Sequence, residues 1–189
     1  MRIAIVGQKW FGTEVFKAAG AYGTVDYVIA PEAGDRLALA ARAARVDVHV
    51  RPSGLRRPFD LPAVDVLISA HSFLYVPAWL RGRASWSIGY HPSLLPLHRG
   101  RNAVAAAIAA GDRVTGGTVY LLEGGYDTGS VVFQDWCFIQ HGETDAGLWR
   151  RALAPMGLEL LEKALSHLDD HGRLDAAPQE ALHRNRVAS

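Results

Sequence analysis

Apolar positions along the chain switch repeatedly between two spacings. Ile3 to Val6 is an unbroken run rich in β-branched residues, and beyond Gly7 the apolar residues Phe11, Val15, Phe16 and Ala19 recur at helical intervals. That pattern predicts strand, loop and helix. A second run, Val25 to Ala30, leads through a turn to Asp35, which is placed to cap a helix over Arg36 to Arg45, and a short strand is expected over Val46 to Val50. Arg51 to Pro62 holds three prolines and no period, so it reads as a surface connection. Val64 to Ala70 is continuous and does not alternate, as expected of a strand covered on both faces. A short helix near Pro77, a strand over Ala84 to Tyr90, a loop from His91 to Gly100 and a helix over Ala103 to Ala110 follow. Gly116-Gly117 precedes a strand expected over Thr118 to Leu122. After a loop from Glu123 to Gly129, another strand is expected over Val131 to Ile139. From Thr144 to about His171 leucines fall at helical spacing, with a kink or break expected near Pro155. Alternating strands and helices imply an α/β fold: an open, mostly parallel twisted sheet with helices on both faces.

Length and composition narrow the picture. A chain of 189 residues, 49% hydrophobic and 21% charged, matches one globular domain. We assign residues 1–174 to that domain and 175–189 to a polar tail or weakly docked extension. Twenty basic residues against nineteen acidic ones leave a net charge of +1, which offers no footprint for nucleic acid or a membrane surface. The single cysteine, Cys137, excludes an internal disulfide and a multi-cysteine zinc site. No apolar stretch is long enough to be a signal-peptide core or membrane span, so a reducing, cytoplasmic location is expected.

In an open parallel sheet a ligand site lies beyond the carboxyl ends of the strands. Three loops fall there, Gly7 to Gly12, His91 to Gly100 and Glu123 to Gly129, and two of them carry a group that handles protons, His91 and Asp127. Taken alone, a His after a strand is more often structural, and Asp127 within Tyr-Asp-Thr-Gly is equally a turn residue bonded to its own backbone. Gly7 lacks the second glycine of a dinucleotide fingerprint, and His91 with His98 lacks the spacing and carboxylates of a metal site. The motif order is more specific: His91-Pro92-Ser93-Leu94-Leu95-Pro96, then Arg99-Gly100, Thr115-Gly116 and Asp127-Thr128-Gly129, with Gln134 downstream. This string resembles the formyltransferases that use 10-formyltetrahydrofolate, and the resemblance runs from about Met1 to about Leu168.

The resemblance implies a Rossmann-like fold and transfer of a formyl group from 10-formyltetrahydrofolate to an amine. His91 matches the family's catalytic histidine and Asp127 its aspartate. Where the family places an asparagine that donates to the developing oxyanion, this chain has Gly89. Losing such a donor typically costs on the order of 3 to 4 kcal/mol. By resemblance, His91 would hydrogen-bond the oxyanion and help move a proton, while Asp127 orients the imidazole. The folate would lie in a cleft formed by the loop after Ala70 and the Glu123 to Asp127 loop. There Phe73, Leu74 and Val76 supply apolar walls alongside Glu123 and Tyr126, and main-chain groups supply specificity. Phe73 and Val76 are equally ordinary core residues. Ser93, Arg99 and Gly100 would shape the acceptor side, and Trp10 is placed to stack on an acceptor, whereas Trp79, Trp86, Trp136 and Trp149 read as packing. No metal is expected.

The resemblance leaves the acceptor as a small-molecule amine or an aminoacyl carrier; on the near-neutral charge no nucleic-acid partner is expected, although a local basic patch stays open, no membrane partner is expected, and oligomeric state is open. Two alternatives stand beside transfer: a folate-binding protein of this fold with little turnover, and a 10-formyltetrahydrofolate hydrolase.

Overall fold

The structure, a computed structural model, describes residues 1–184. It divides into two compact units, Met1–Gly89 and the residues from Tyr90 onward, inside what the sequence presents as one domain. Residues 185–189 of the expected tail lie outside the described residues.

The first unit is built on β1 (Arg2–Gly7), β2 (Thr24–Ala30), β3 (Asp47–Val50), β4 (Val64–Ala70) and β5 (Ala84–His91), whose last two residues enter the second unit. Their ladders are all parallel, in the order β3-β2-β1-β4-β5. The helices α1 (Lys9–Ala19), α2 (Arg36–Ala43) and α3 (Ala78–Arg81) connect them. The central strands contain the unbroken apolar runs, and Ile3, Ile5, Val28, Ile29, Leu67 and Ile68 are all completely buried. Asp35 caps α2 as expected: its side chain accepts from the main-chain N–H of Leu37 at 2.9 Å. The same carboxylate accepts from the N–H of Lys9 at 2.9 Å, so it also pins the start of α1. Arg51 to Pro62 is indeed irregular, and it is secured by aromatic contacts. Phe59 lies between the ring of His49 at 5.3 Å and that of Trp79 at 5.4 Å, and Trp79 Nε1 donates to the carbonyl of Leu55 at 2.9 Å.

The second unit holds α4 (Ala103–Ala109), β6 (Val114–Leu121), β7 (Val131–Phe138), α5 (Asp145–Leu148), a π-helical turn (Trp149–Leu153), α6 (Ala154–His171) and α7 (Gln179–Arg184). β6 and β7 pair antiparallel, so the sheet is mostly parallel, as expected. β6 starts earlier than its apolar run indicates, because Gly116 and Gly117 lie inside the strand. They are glycines for steric reasons: a Cβ on Gly117 would come within 2.6 Å of Tyr90 Cε2. The break expected near Pro155 is the π-helical turn just before it, consistent with the missing N–H of proline. Trp136 is 55% exposed on β7 beside Phe138, so its reading as a packing residue is corrected. The described part of the expected tail is firmly docked rather than loose. Ala177 and Val131 exchange two main-chain hydrogen bonds, of 2.8 and 2.9 Å, and Gln179 is only 1% exposed.

Candidate active site

The second unit builds its candidate site from the end of β5. Along that strand Tyr90 and His91 point to opposite faces. The Tyr90 ring packs where Gly117 and Gly157 leave room, and its hydroxyl donates to the carbonyl of Leu153 at 2.6 Å. Burial drives the Tyr90 phenol well above its ordinary pKa, so it remains a donor. With Tyr90 committed to that side, His91 projects from the other. It is 6% exposed.

His91 Nε2 lies 2.8 Å from the carbonyl oxygen of His98, which only accepts, so Nε2 carries the proton of that bond. Nδ1 faces Asp127, 3.4 Å from Oδ2. This separation is longer than a good hydrogen bond. His98, itself at φ +50°, is held by Asp112, with Nε2 2.6 Å from Oδ2. The loop between His91 and His98 is braced from within. Fully buried Ser93 donates its hydroxyl to Leu97, while the Thr118 hydroxyl donates to the Ser93 carbonyl at 2.6 Å and accepts from Gln134 Nε2 at 2.8 Å. Ser93 therefore supports the loop and has no surface to offer an acceptor.

Asp127 sits in the loop between β6 and β7 with φ of +53°. Its Oδ1 accepts from the Tyr120 hydroxyl at 2.6 Å and its Oδ2 from the N–H of Gly100 at 2.8 Å. Burial first, and then the adjacent Asp127 charge, raise the Tyr120 phenol well above its ordinary pKa, keeping it protonated as a donor. Arg99 directs Nε and Nη2 onto Gln179 Oε1, at 3.0 and 2.6 Å, so two of its nitrogens are engaged inside the protein. Glu123 and Tyr126 are both exposed on the loop that carries Asp127. The structure thus brings together His91, Gly100 and Asp127. Tyr120 and Gln179 join them without having been singled out in the sequence, and His98, weighed there only as a metal ligand, joins through its carbonyl. Tyr120 shares a strand face with Thr118 by period-two alternation, a signal that the sequence did carry.

In the first unit, the loops after β1 and β4 leave neighbouring parallel strands at the same end, and Gln8 N–H donates to the Ala70 carbonyl at 3.4 Å. Trp10 is 44% exposed there and Phe73 53% exposed, which excludes the core reading of Phe73. Lys9 Nζ lies 5.4 Å from the centre of the Phe73 ring, and Val76 is buried. Both main-chain polar groups of Leu74 turn onto Ser72 Oγ, so they are satisfied locally. The His71 ring lies 5.4 Å from that of Phe73. No group of three or more metal-ligating side chains occurs among the described residues.

Residues 24–165 match the model of a protein family described as formyl transferase. The chain belongs to the formyl transferase family. A cytosolic 10-formyltetrahydrofolate dehydrogenase of Mus musculus is 31% identical over 181 residues, covering 87% of this chain and 20% of that protein. The chain therefore spans about a fifth of the length of the curated relatives it first matches. Among solved structures, glycinamide ribonucleotide transformylase 1 from Symbiobacterium toebii superposes with a TM-score of 0.78 at 23% identity, covering 94% of both chains. An N-formyltransferase from Helicobacter canadensis, in complex with folinic acid and dTDP-3-aminofucose, superposes with a TM-score of 0.76 at 16% identity, covering 94% of this chain and 66% of that one. These likenesses establish the formyltransferase fold. Among the described residues, no helix of this formyltransferase domain is long and apolar enough to cross a membrane.

Proposed function

We propose that this formyltransferase domain moves the formyl group of 10-formyltetrahydrofolate onto the amino group of a small or carrier-bound acceptor, in the cytoplasm, with His91 and Asp127 handling the proton. The observation that carries the proposal is the facing of His91 Nδ1 and Asp127 Oδ2 at 3.4 Å in a nearly buried setting. When bound, the donor supplies an electrophilic formyl carbon whose oxygen gathers negative charge as an amine adds. The role of His91 follows from its bonds. Nε2 is held as a donor by the His98 carbonyl, so Nδ1 is the atom at which a proton is gained or lost. Asp127, fixed by Tyr120 and Gly100, holds the ring plane and balances the charge of the protonated imidazole. Phe73, exposed beside Leu74, offers an apolar ring for the pterin. Gly100, bonded to Asp127, borders the acceptor.

A second reading, a folate-binding protein of this fold with little turnover, is favoured by one residue. Gly89 stands two positions before His91 on the same face of β5, where it has no side chain to donate to an oxyanion. One experiment separates the two. The full chain is incubated with 10-formyltetrahydrofolate, and tetrahydrofolate and formate are followed with and without a panel of amines. Tetrahydrofolate formed only with an amine, without formate, supports transfer; equimolar formate without amine supports hydrolysis. No consumption under either condition, by a chain whose melting temperature a 5-formyl analogue still raises, supports the second reading, and no such rise overturns both.

A further inference from the structure

Asp127 adopts a backbone conformation that side chains other than glycine rarely take, and such a conformation persists only when surrounding contacts hold it. Two of those contacts reach the carboxylate, from Tyr120 and from the N–H of Gly100. A third reaches the main chain. Gln179 Nε2 donates to the carbonyl of Asp127 at 2.9 Å and to that of Gly129 at 2.8 Å. The other end of the same amide accepts twice from the Arg99 guanidinium. All the bonding positions of the side chain are used, two N–H groups and two lone pairs. Arg99 directly precedes Gly100, so the contacts close a ring: Gly100 N–H to the Asp127 carboxylate, Asp127 carbonyl to Gln179, Gln179 to Arg99, and Arg99 by covalent chain back to Gly100. The Ala177 and Val131 main-chain pair anchors the segment that delivers Gln179.

We propose that Gln179 is a positioning residue for the His91–Asp127 pair, locking the loop that carries the carboxylate to the loop that follows the imidazole. Only an amide fits the task, since it must donate to two carbonyls at one end and accept from a guanidinium at the other. The proposal rests on the reading of His91 and Asp127 as the proton-handling pair, and its test does not depend on turnover alone.

The informative variant is Gln179→Glu in the full chain. It matches the native residue in size and keeps the Arg99 contact, but it turns an acceptor toward the carbonyls of Asp127 and Gly129. The kcat for consumption of 10-formyltetrahydrofolate should fall about tenfold to a hundredfold, with KM for the donor within about threefold, as for a small misplacement of a catalytic group. In an Asp127→Asn background the same change should cost less than about threefold, because the group being positioned is already altered. The ring ¹⁵N resonances of His91 in ¹⁵N-histidine-labelled protein should shift with Gln179→Glu. Equal losses in both backgrounds, or unmoved His91 resonances, overturn the proposal. If the wild-type chain turns over no 10-formyltetrahydrofolate, the formyl-transfer reading fails, and the His91 resonances still decide the role of Gln179. Should Gln179→Glu not fold, Arg99→Met removes the guanidinium half of the ring, and a smaller shift of the same resonances is expected; none would overturn the proposal.

Discussion

Tyr90 and Leu153 share a hydrogen bond of 2.6 Å from the phenol to the main-chain carbonyl, and this bond determines the face of β5 from which His91 projects. Leu153 closes the π-helical turn that precedes α6, so an irregular helix entry and a buried tyrosine together orient the next residue along the strand. The arrangement demands small neighbours: a Cβ on Gly157 would lie 2.5 Å from Tyr90 Cε1. Gly157→Ala should therefore force the Tyr90 ring aside and destabilise the fold by roughly 1 to 3 kcal/mol, the usual cost of overpacking. Thermal or urea unfolding checks this, and an unchanged midpoint would show that the ring has room to move.

His91→Ala should lower kcat by at least about a hundredfold, as for loss of a general acid-base group, while the protein still folds with an unfolding midpoint lowered by the loss of a buried, hydrogen-bonded side chain. Steady-state kinetics beside a melting curve is the measurement. A rate within threefold of wild type would remove the imidazole from the mechanism.

Asp127→Asn should act chiefly through His91. The double variant with His91→Ala should lose far less than the product of the two single losses. Multiplicative losses would mean that the two side chains work independently despite their separation of 3.4 Å.

Tyr120→Phe keeps the ring and removes the hydroxyl that donates to Asp127 Oδ1. A bond to a charged acceptor is worth about 1.5 to 3 kcal/mol, so the variant should unfold at lower denaturant concentration by about that free energy and lose kcat as well. Equal stability of the two proteins would show that water replaces the phenol.

The acid side of the stability curve has a stated sign. Burial, with the positive charge of Arg51 next, lowers the pKa of His49 below 6.5; burial and then Lys9 do the same for His71. Below pH 6.5 the unfolded chain takes up protons at these positions that the folded one resists, so unfolding free energy should fall as pH drops from 6.5 toward the lower folded values. His49→Phe, which retains an aromatic group between Tyr27 and Phe59, should flatten part of that loss in urea titrations between pH 7.5 and 5.5. An identical pH dependence in the two proteins would discount His49.

Much of this molecule follows from local rules. Unbroken β-branched runs such as Val64–Ala70 must be covered on both faces, helical spacing must bury one stripe, and Asp35 caps where a carboxylate can meet free N–H groups; those constraints operate within a few residues and are legible in the chain itself. The motif around His91 and Asp127 likewise announced the formyltransferase family before any coordinates. Tertiary structure alone decided what these residues touch. Gly116 and Gly117 look like a break until Tyr90 is seen to need the space over Gly117. Gln179, in a stretch without periodicity, gains its importance from Asp127, Gly129 and Arg99, and a single hydrogen-bonded amide leaves no repeating pattern in the chain. Spacing repeats where burial repeats, whereas a one-off polar contact between distant segments exists only once the backbone has closed around it.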